Sequence, residues 1–151
     1  MGQRCLNHRG EADSLVYPLV FLWRHYIELR LKELLRGLNY IEEQSREFPI
    51  KHRLIPMWKL FRTRAVKIDP NFTTRQEFDN MEVLIKEFDE QDPNSMVFRY
   101  PIDKQGNNSH QLRHLDLENF HTVMLGIANF LEGAKALISN YEGVIDKMII
   151  D

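Results

Sequence analysis

The chain has 151 residues, 43% of them hydrophobic and 28% charged, with a formal net charge of −2, the profile of one globular domain large enough to bury a real core. That balance excludes bulk nucleic-acid binding while leaving a local basic patch open. No run of about 18 apolar residues is present to span a membrane, Met1 leads into a polar segment with no apolar signal core, and Leu6 stands where a myristoylation signal wants Ser or Thr, so the expected compartment is the cytoplasm.

Residues 1–13 read as a disordered leader and residues 14–151 as a single domain. The one cysteine, Cys5, falls in the leader and has no internal partner for a disulfide. A first helix is expected from about Ser14 to about Gln44, with Pro18 accommodated in its first turn. At 100° per residue, Val20, Trp23, Ile27, Leu31, Leu34 and Leu38 share one arc, and Leu22, Tyr26 and Leu29 cover much of a second. A helix that is apolar on so many sides belongs inside. Within it, Arg24, Glu28 and Lys32 form a ladder at one-turn intervals. Arg24 projects close to the main apolar arc, so its guanidinium needs a carboxylate, and Glu28 is the nearest candidate. Gly37 is expected to bend or weaken the helix.

Ser45 to Ile50 is a connection containing Pro49, and a second helix follows from about Pro56, where Trp58, Phe61, Ala65 and Ile68 keep helical spacing. Asp69, Pro70 and Asn71 close it. Thr74 with Glu77 three residues later is a capping box, opening a third helix to about Glu90 with an apolar stripe of Phe78, Met81, Leu84, Ile85 and Phe88. After Asp92, Pro93 and Asn94, the segment Met96 to Ile102 reads as extended, Gly106 to Asn108 as a turn, and His110 to Leu115 as a return strand.

The last helix has the longest unbroken pattern: Leu117, Phe120, Met124, Ile127, Leu131, Ala134, Ile138, Tyr141, Ile145 and Met148 alternate steps of three and four. Val123, Phe130, Leu137 and Val144 add a flanking stripe, so this face fits a helix packed against two neighbours. Its other side carries Gly126, Asn129, Gly133, Ala136, Asn140 and Gly143. Interior glycines cost roughly 0.5 to 1 kcal/mol each against alanine, which points either to close approach of another helix, a second subunit included, or to a tolerated exposed face. The architecture these elements imply is all-α: a four-helix up-and-down bundle with a small extended or β-hairpin insertion before the long last helix.

Known catalytic signatures are absent. There is no Gly-rich phosphate loop, nucleophile elbow or His-Glu-His zinc pattern, and the carboxylates of the third helix do not form the inward set with histidines that a di-iron bundle requires. His110, His114 and His121 cluster with Asp116 and Glu118 but show no recognised ligand spacing, so neither a metal nor a cofactor is expected. Lys51, Arg53, Lys59, Arg62, Arg64 and Lys67 lie in a stretch with His52 and no acid, and the reverse balance follows from Asp69 to Asp92. Either the two helices attract each other electrostatically, or Arg62, Arg64 and their neighbours bind phosphates of RNA or a nucleotide. Arg24 or Lys32, together with Arg99 and Tyr100 of the segment FRYP, serves either as an ion-pair strut or as the lining of an anion pocket.

With these elements placed, LWRHYIELRLKELL and the order of the helices resemble the first helix and helical order of the HEPN superfamily of prokaryotic helical bundles, over about residues 15 to 148. The resemblance implies an up-and-down bundle, a homodimer, and a role in RNA cleavage, toxin and antitoxin systems, phage defence or partnership with nucleotidyltransferases. Catalytic members carry an Arg followed after four to six residues by His. The match to that spacing here is Arg46 with His52, located after the first helix rather than near a late one, while Arg113 and His121 near the last helix are spaced too widely. The reading that follows is a noncatalytic HEPN-like binding or regulatory module, a homodimer engaging RNA, a nucleotide or a protein partner, with a metal-independent endoribonuclease and a small-anion binder as alternatives.

Overall fold

The computed structural model describes the backbone of residues 7–43, 45, 51–91 and 117–150, with side chains from residue 15 onward. Four helices account for nearly all of it: α1 (Asn7–Glu43), α2 (Leu54–Ile68), α3 (Arg75–Gln91) and α4 (Leu117–Ile150). The fold is the expected all-α four-helix bundle, with no strand among the described residues. The segment read as extended or hairpin, with Arg99 and Tyr100, lies outside the described residues, as do Arg46, His110, His114 and Arg113.

α1 starts at Asn7 rather than near Ser14, so helical backbone extends into what reads as the leader. Adding a residue to an existing helix costs far less than nucleating one, and Glu11 and Ala12 are good helix formers. Pro18 consequently sits inside α1 and not in its first turn. There it removes the donor for the carbonyl one turn earlier, which weakens the helix locally.

Local chemistry sets the other boundaries. Thr74 and Glu77 form the reciprocal capping box at the start of α3: the Glu77 N–H donates to Thr74 Oγ1 at 3.2 Å and the Thr74 N–H donates to Glu77 Oε2 at 3.2 Å. α2 ends where the Asp69 N–H donates to the Ala65 carbonyl at 2.9 Å and Pro70 blocks continuation. Its start has no cap from its own N-cap residue, Arg53. Instead, Asp89 of α3 accepts the Leu54 N–H at 2.7 Å, satisfying one of the four donors left open at a helix N-terminus.

Helix directions follow from paired contacts. Trp58 meets Glu82 and Arg53 meets Asp89, so α3 runs back along α2, as a short connection requires. Phe88 packs on Phe120 and Phe78 on Phe130, which makes α4 antiparallel to α3. Alternation therefore holds across α2, α3 and α4. The first pair departs from it: Arg24 reaches His52 while Arg64 reaches Asn39 and Glu42, so α1 and α2 point the same way. The chain between Glu43 and Leu54 is long enough for this, because ten residues reach about 33 Å when extended. α4 also runs parallel to α1, as the contacts of Tyr26 with Glu132 and Tyr40 with Asp146 show.

The core is where the inward rows of the four helices meet. Ile27, Leu31, Leu34, Leu35 and Leu38 of α1 pack with Met57, Trp58, Phe61 and Ala65 of α2, Phe78 and Ile85 of α3, and Met124, Ile127, Leu131, Ala134 and Ile138 of α4. At one end, Trp58, Phe61, Phe72, Phe78 and Phe130 form an aromatic cluster with ring centroids 5.6 to 6.4 Å apart, each pair adding roughly 0.5 to 1.5 kcal/mol beyond simple burial. Only the first arc of α1 is inside. Leu22 and Leu29 of the second arc face solvent, which corrects the expectation that the whole helix is enclosed.

Within the chain the glycines of α4 take no part in a close helix approach, which falls at Gly37 instead. An added Cβ at Gly126, Gly133 or Gly143 meets nothing within 4 Å, so no described part of the chain closes on these three positions. At Gly37 a Cβ would lie 2.5 Å from Ile138 Cγ2. The close approach of two helices is made by the glycine of α1, where α4 crosses it.

Candidate functional site

The Arg24, Glu28, Lys32 ladder is the focus of the most constrained polar site in the described molecule. Helical spacing of four sets the three side chains one above another, and all three connect through one carboxylate. Arg24 Nη1 donates to Glu28 Oε2 at 2.7 Å and Lys32 Nζ donates to Glu28 Oε1 at 2.8 Å. Arg24 is fully buried and Glu28 nearly so. The remaining question about Arg24 is answered from outside the helix: its Nη2 donates to the backbone carbonyl of His52 at 2.6 Å.

His52 completes the site, with Nδ1 2.9 Å from Glu28 Oε1. Burial by itself would raise the Glu28 carboxyl, but hydrogen bonds from Lys32, His52 and Arg24, with the Lys32 charge, outweigh it and hold the group at about 2. An ionised carboxylate only accepts. His52 Nδ1 must therefore carry the proton, and the imidazole offers Nε2 as its second ring nitrogen. The ring is 63% exposed, so a buried anion orients a solvent-facing imidazole, the relation by which carboxylates fix histidine tautomers in metal and catalytic sites.

The tripeptide Lys51, His52, Arg53 is gripped from its other side by Asp89, which the sequence reading missed. Besides capping Leu54, Asp89 accepts from Arg53 Nε at 3.0 Å and Nη2 at 2.8 Å. Its signal was available in the spacing: Phe78, Glu82, Ile85 and Asp89 follow steps of four, three and four, so Asp89 shares the inward row. Two buried carboxylates, one from α1 and one from α3, thus anchor the backbone that leads into α2.

The other candidates are dispersed. Arg62 turns to α3, donating to Asp79 at 2.6 Å and Glu82 at 3.0 Å, with its guanidinium 5.4 Å from the Phe78 ring centroid. Arg64 turns to α1, donating to Asn39 at 2.6 Å and to Glu42 at 2.7 Å. The opposite charges of α2 and α3 therefore meet, although Arg64 spends its charge on α1. His121 is exposed on α4 and is not joined to the Glu28 site. Among the described residues no group of three or more histidine, cysteine or acidic side chains is placed to hold a metal ion.

No family model, curated protein or solved structure matches the chain.

Geometry alone therefore limits what the site can do. Arg24 has no surface to offer an anion, which favours the strut over the pocket. A separate cleft between α1 and α4, lined by Glu33, Arg36, Gly37, Lys135, Ser139 and Glu142, has a volume of about 140 Å³. That is well below the roughly 300 Å³ at which small-molecule sites begin, and its charges are of both signs. No helix of the described residues is long and apolar enough to cross a membrane.

Proposed function

We propose that the chain is a noncatalytic, HEPN-like helical-bundle module that acts by binding a protein partner. The observation that carries this reading is the use made of the basic stretch. Arg53, Arg62 and Arg64 all bind carboxylates of their own chain, so the guanidinium groups that would grip phosphates are committed to holding α2 against α1 and α3. Meanwhile large apolar side chains of α1 and α4 remain open to water, as partner-binding surfaces do. The test is retention of total RNA on the immobilised chain at low salt, where phosphate contacts are strongest. No retention is expected. RNA that is held, and released by Lys51→Glu with Lys59→Glu at two exposed positions, would replace the protein partner with RNA.

One observation favours a second reading, a metal-independent endoribonuclease. His52, oriented by Glu28, has the arrangement of a general base or acid: a fixed tautomer and an accessible second nitrogen. Cleavage of total RNA in chelator, abolished by His52→Ala and preserved in His121→Ala, would establish that activity. Absence of cleavage in the parent chain leaves His52 as part of the strut.

A further inference from the structure

His52 has a chemistry that its place in the strut does not use. Its Nδ1–H donates to Glu28 Oε1 at 2.9 Å and its carbonyl accepts from Arg24 Nη2 at 2.6 Å, so ring and backbone are both fixed by buried side chains of α1. The lone pair of the neutral imidazole is thereby left on Nε2, and an anion on the opposite N–H raises the basicity of that nitrogen. On a ring 63% exposed, it is an oriented nucleophile open to a second molecule.

The charges around it select the group it takes. Lys32 donates to the same Glu28 oxygen at 2.8 Å, Arg24 donates to the other oxygen at 2.7 Å, and Lys51 and Arg53 flank His52 in the chain. Against these four cations stand two carboxylates, Glu28 and Asp89, the latter bonded to Arg53. The excess of two positive charges lies just before the first turn of α2, the positive end of that helix. It matches a phosphoryl group, which brings about −1.5 to −2, and gains nothing from a neutral acyl group. Cleaving a phosphodiester takes a base and an acid. Among the described histidines, His25 stacks on Phe21 and His121 lies on α4 away from the site, so neither supplies a second proton-transfer group. Accepting a phosphoryl group takes one nitrogen.

We propose that His52 is a phosphoryl-acceptor site, phosphorylated on Nε2 by a partner protein that carries the phosphoryl group as an acyl phosphate or a phosphohistidine. The proposal rests on the partner-binding reading above and names what the partner brings. Nε2 gives its lone pair to phosphorus, the P–O or P–N bond of the donor breaks, and the leaving carboxylate or imidazole takes the electron pair of that bond. No proton leaves the acceptor ring. Nδ1–H stays on Glu28, whose charge pairs with the imidazolium formed, and the exposed Lys51 adds a counter-charge for the phosphoryl oxygens.

Phosphoramidate, which transfers its phosphoryl group to imidazoles with release of ammonia, tests the site on the full chain. Phosphorus NMR with peptide mapping at alkaline pH, where the N–P bond survives, reads the residue, the ring nitrogen and the rate. His52 is expected to be labelled on Nε2 about tenfold faster than His121, an exposed histidine of α4. Glu28→Gln is expected to slow His52 about tenfold and to spread label onto Nδ1, with His121 and the helical circular dichroism unchanged. The chain isolated from its own cells at alkaline pH is expected to carry phosphate on His52. Label on His52 no faster than on His121, label on its Nδ1 in the parent, a folded Glu28→Gln chain labelled as fast as the parent, or isolated chain without phosphate on His52 each overturns the proposal. If Glu28→Gln fails to fold, the rate and ring nitrogen measured in the parent decide. None of these outcomes involves RNA, so the retention test of the partner-binding reading is judged separately.

Discussion

α1 has two sides that reverse the usual arrangement of a surface helix: toward α2 it buries Arg24 and Glu28, and on its opposite flank it leaves Leu15, Leu22 and Leu29 in water. The charged side is stable in the interior because both carboxylate oxygens of Glu28 and both terminal nitrogens of Arg24 are hydrogen-bonded. Glu28 receives Arg24, Lys32 and His52, and Arg24 also holds the His52 carbonyl. The leucine side is exposed because the bundle has already filled the first arc of the helix, and of the second arc only Tyr26 reaches a described element, Glu132 of α4. Burial here follows the availability of partners more than the polarity of the side chain.

Breaking the charged side should have the largest effect. Glu28→Gln leaves the buried Arg24 guanidinium without its anion, and removing one member of a buried pair costs about 3 to 5 kcal/mol. A drop of that size in unfolding free energy, measured in urea, is expected; a drop below about 1 kcal/mol would mean that water, not Glu28, satisfies Arg24. Acid tests the same group without mutation. The Glu28 carboxyl lies below its ordinary 4.5, at about 2, so its contribution is complete above pH 4.5 and disappears as pH falls from there toward 2. The lost stability is on the order of 3 kcal/mol, and the acid transition should be flatter in that window for Glu28→Gln.

The two glycine environments give an intermediate contrast. Gly37→Ala places a methyl against Ile138 and should destabilise by about 1 to 3 kcal/mol, whereas Gly133→Ala, with open space around it, should stabilise by roughly 0.5 to 1 kcal/mol through helix propensity. Thermal midpoints moving the same way in both variants would remove the assignment of the close approach to Gly37. The smallest effect belongs to the leucine side. Leu29→Gln should change stability by less than about 0.5 kcal/mol; a larger loss would show that the row is covered within the chain.

Much of the fold was legible because it depends on relations of three and four residues. The capping box at Thr74 and Glu77, the alignment of Arg24, Glu28 and Lys32 and the middle of the α4 row, Met124 to Ile138, follow from helix geometry and are found in the structure, whereas Leu117 and Met148 at the ends of that row and Leu137 and Val144 of its flanking stripe are exposed. Asp89 could also have been placed inward from its spacing to Ile85, but nothing local reveals that it caps a different helix.

What only the tertiary structure decided are the relations across long separations. Sequence periodicity shows that α1 has two apolar arcs, yet which one is buried depends on where α2 and α4 settle. It likewise marks Gly37 and the glycines of α4 as unusual, but only helix crossing assigns the contact to Gly37 and leaves Gly126 and Gly133 open. His52 lies 24 residues from Glu28 in the chain, and the parallel course of α1 and α2 brings them together. Local spacing determined which residues share a face; packing determined what each face meets, because burial is decided by neighbours that the helix itself does not contain.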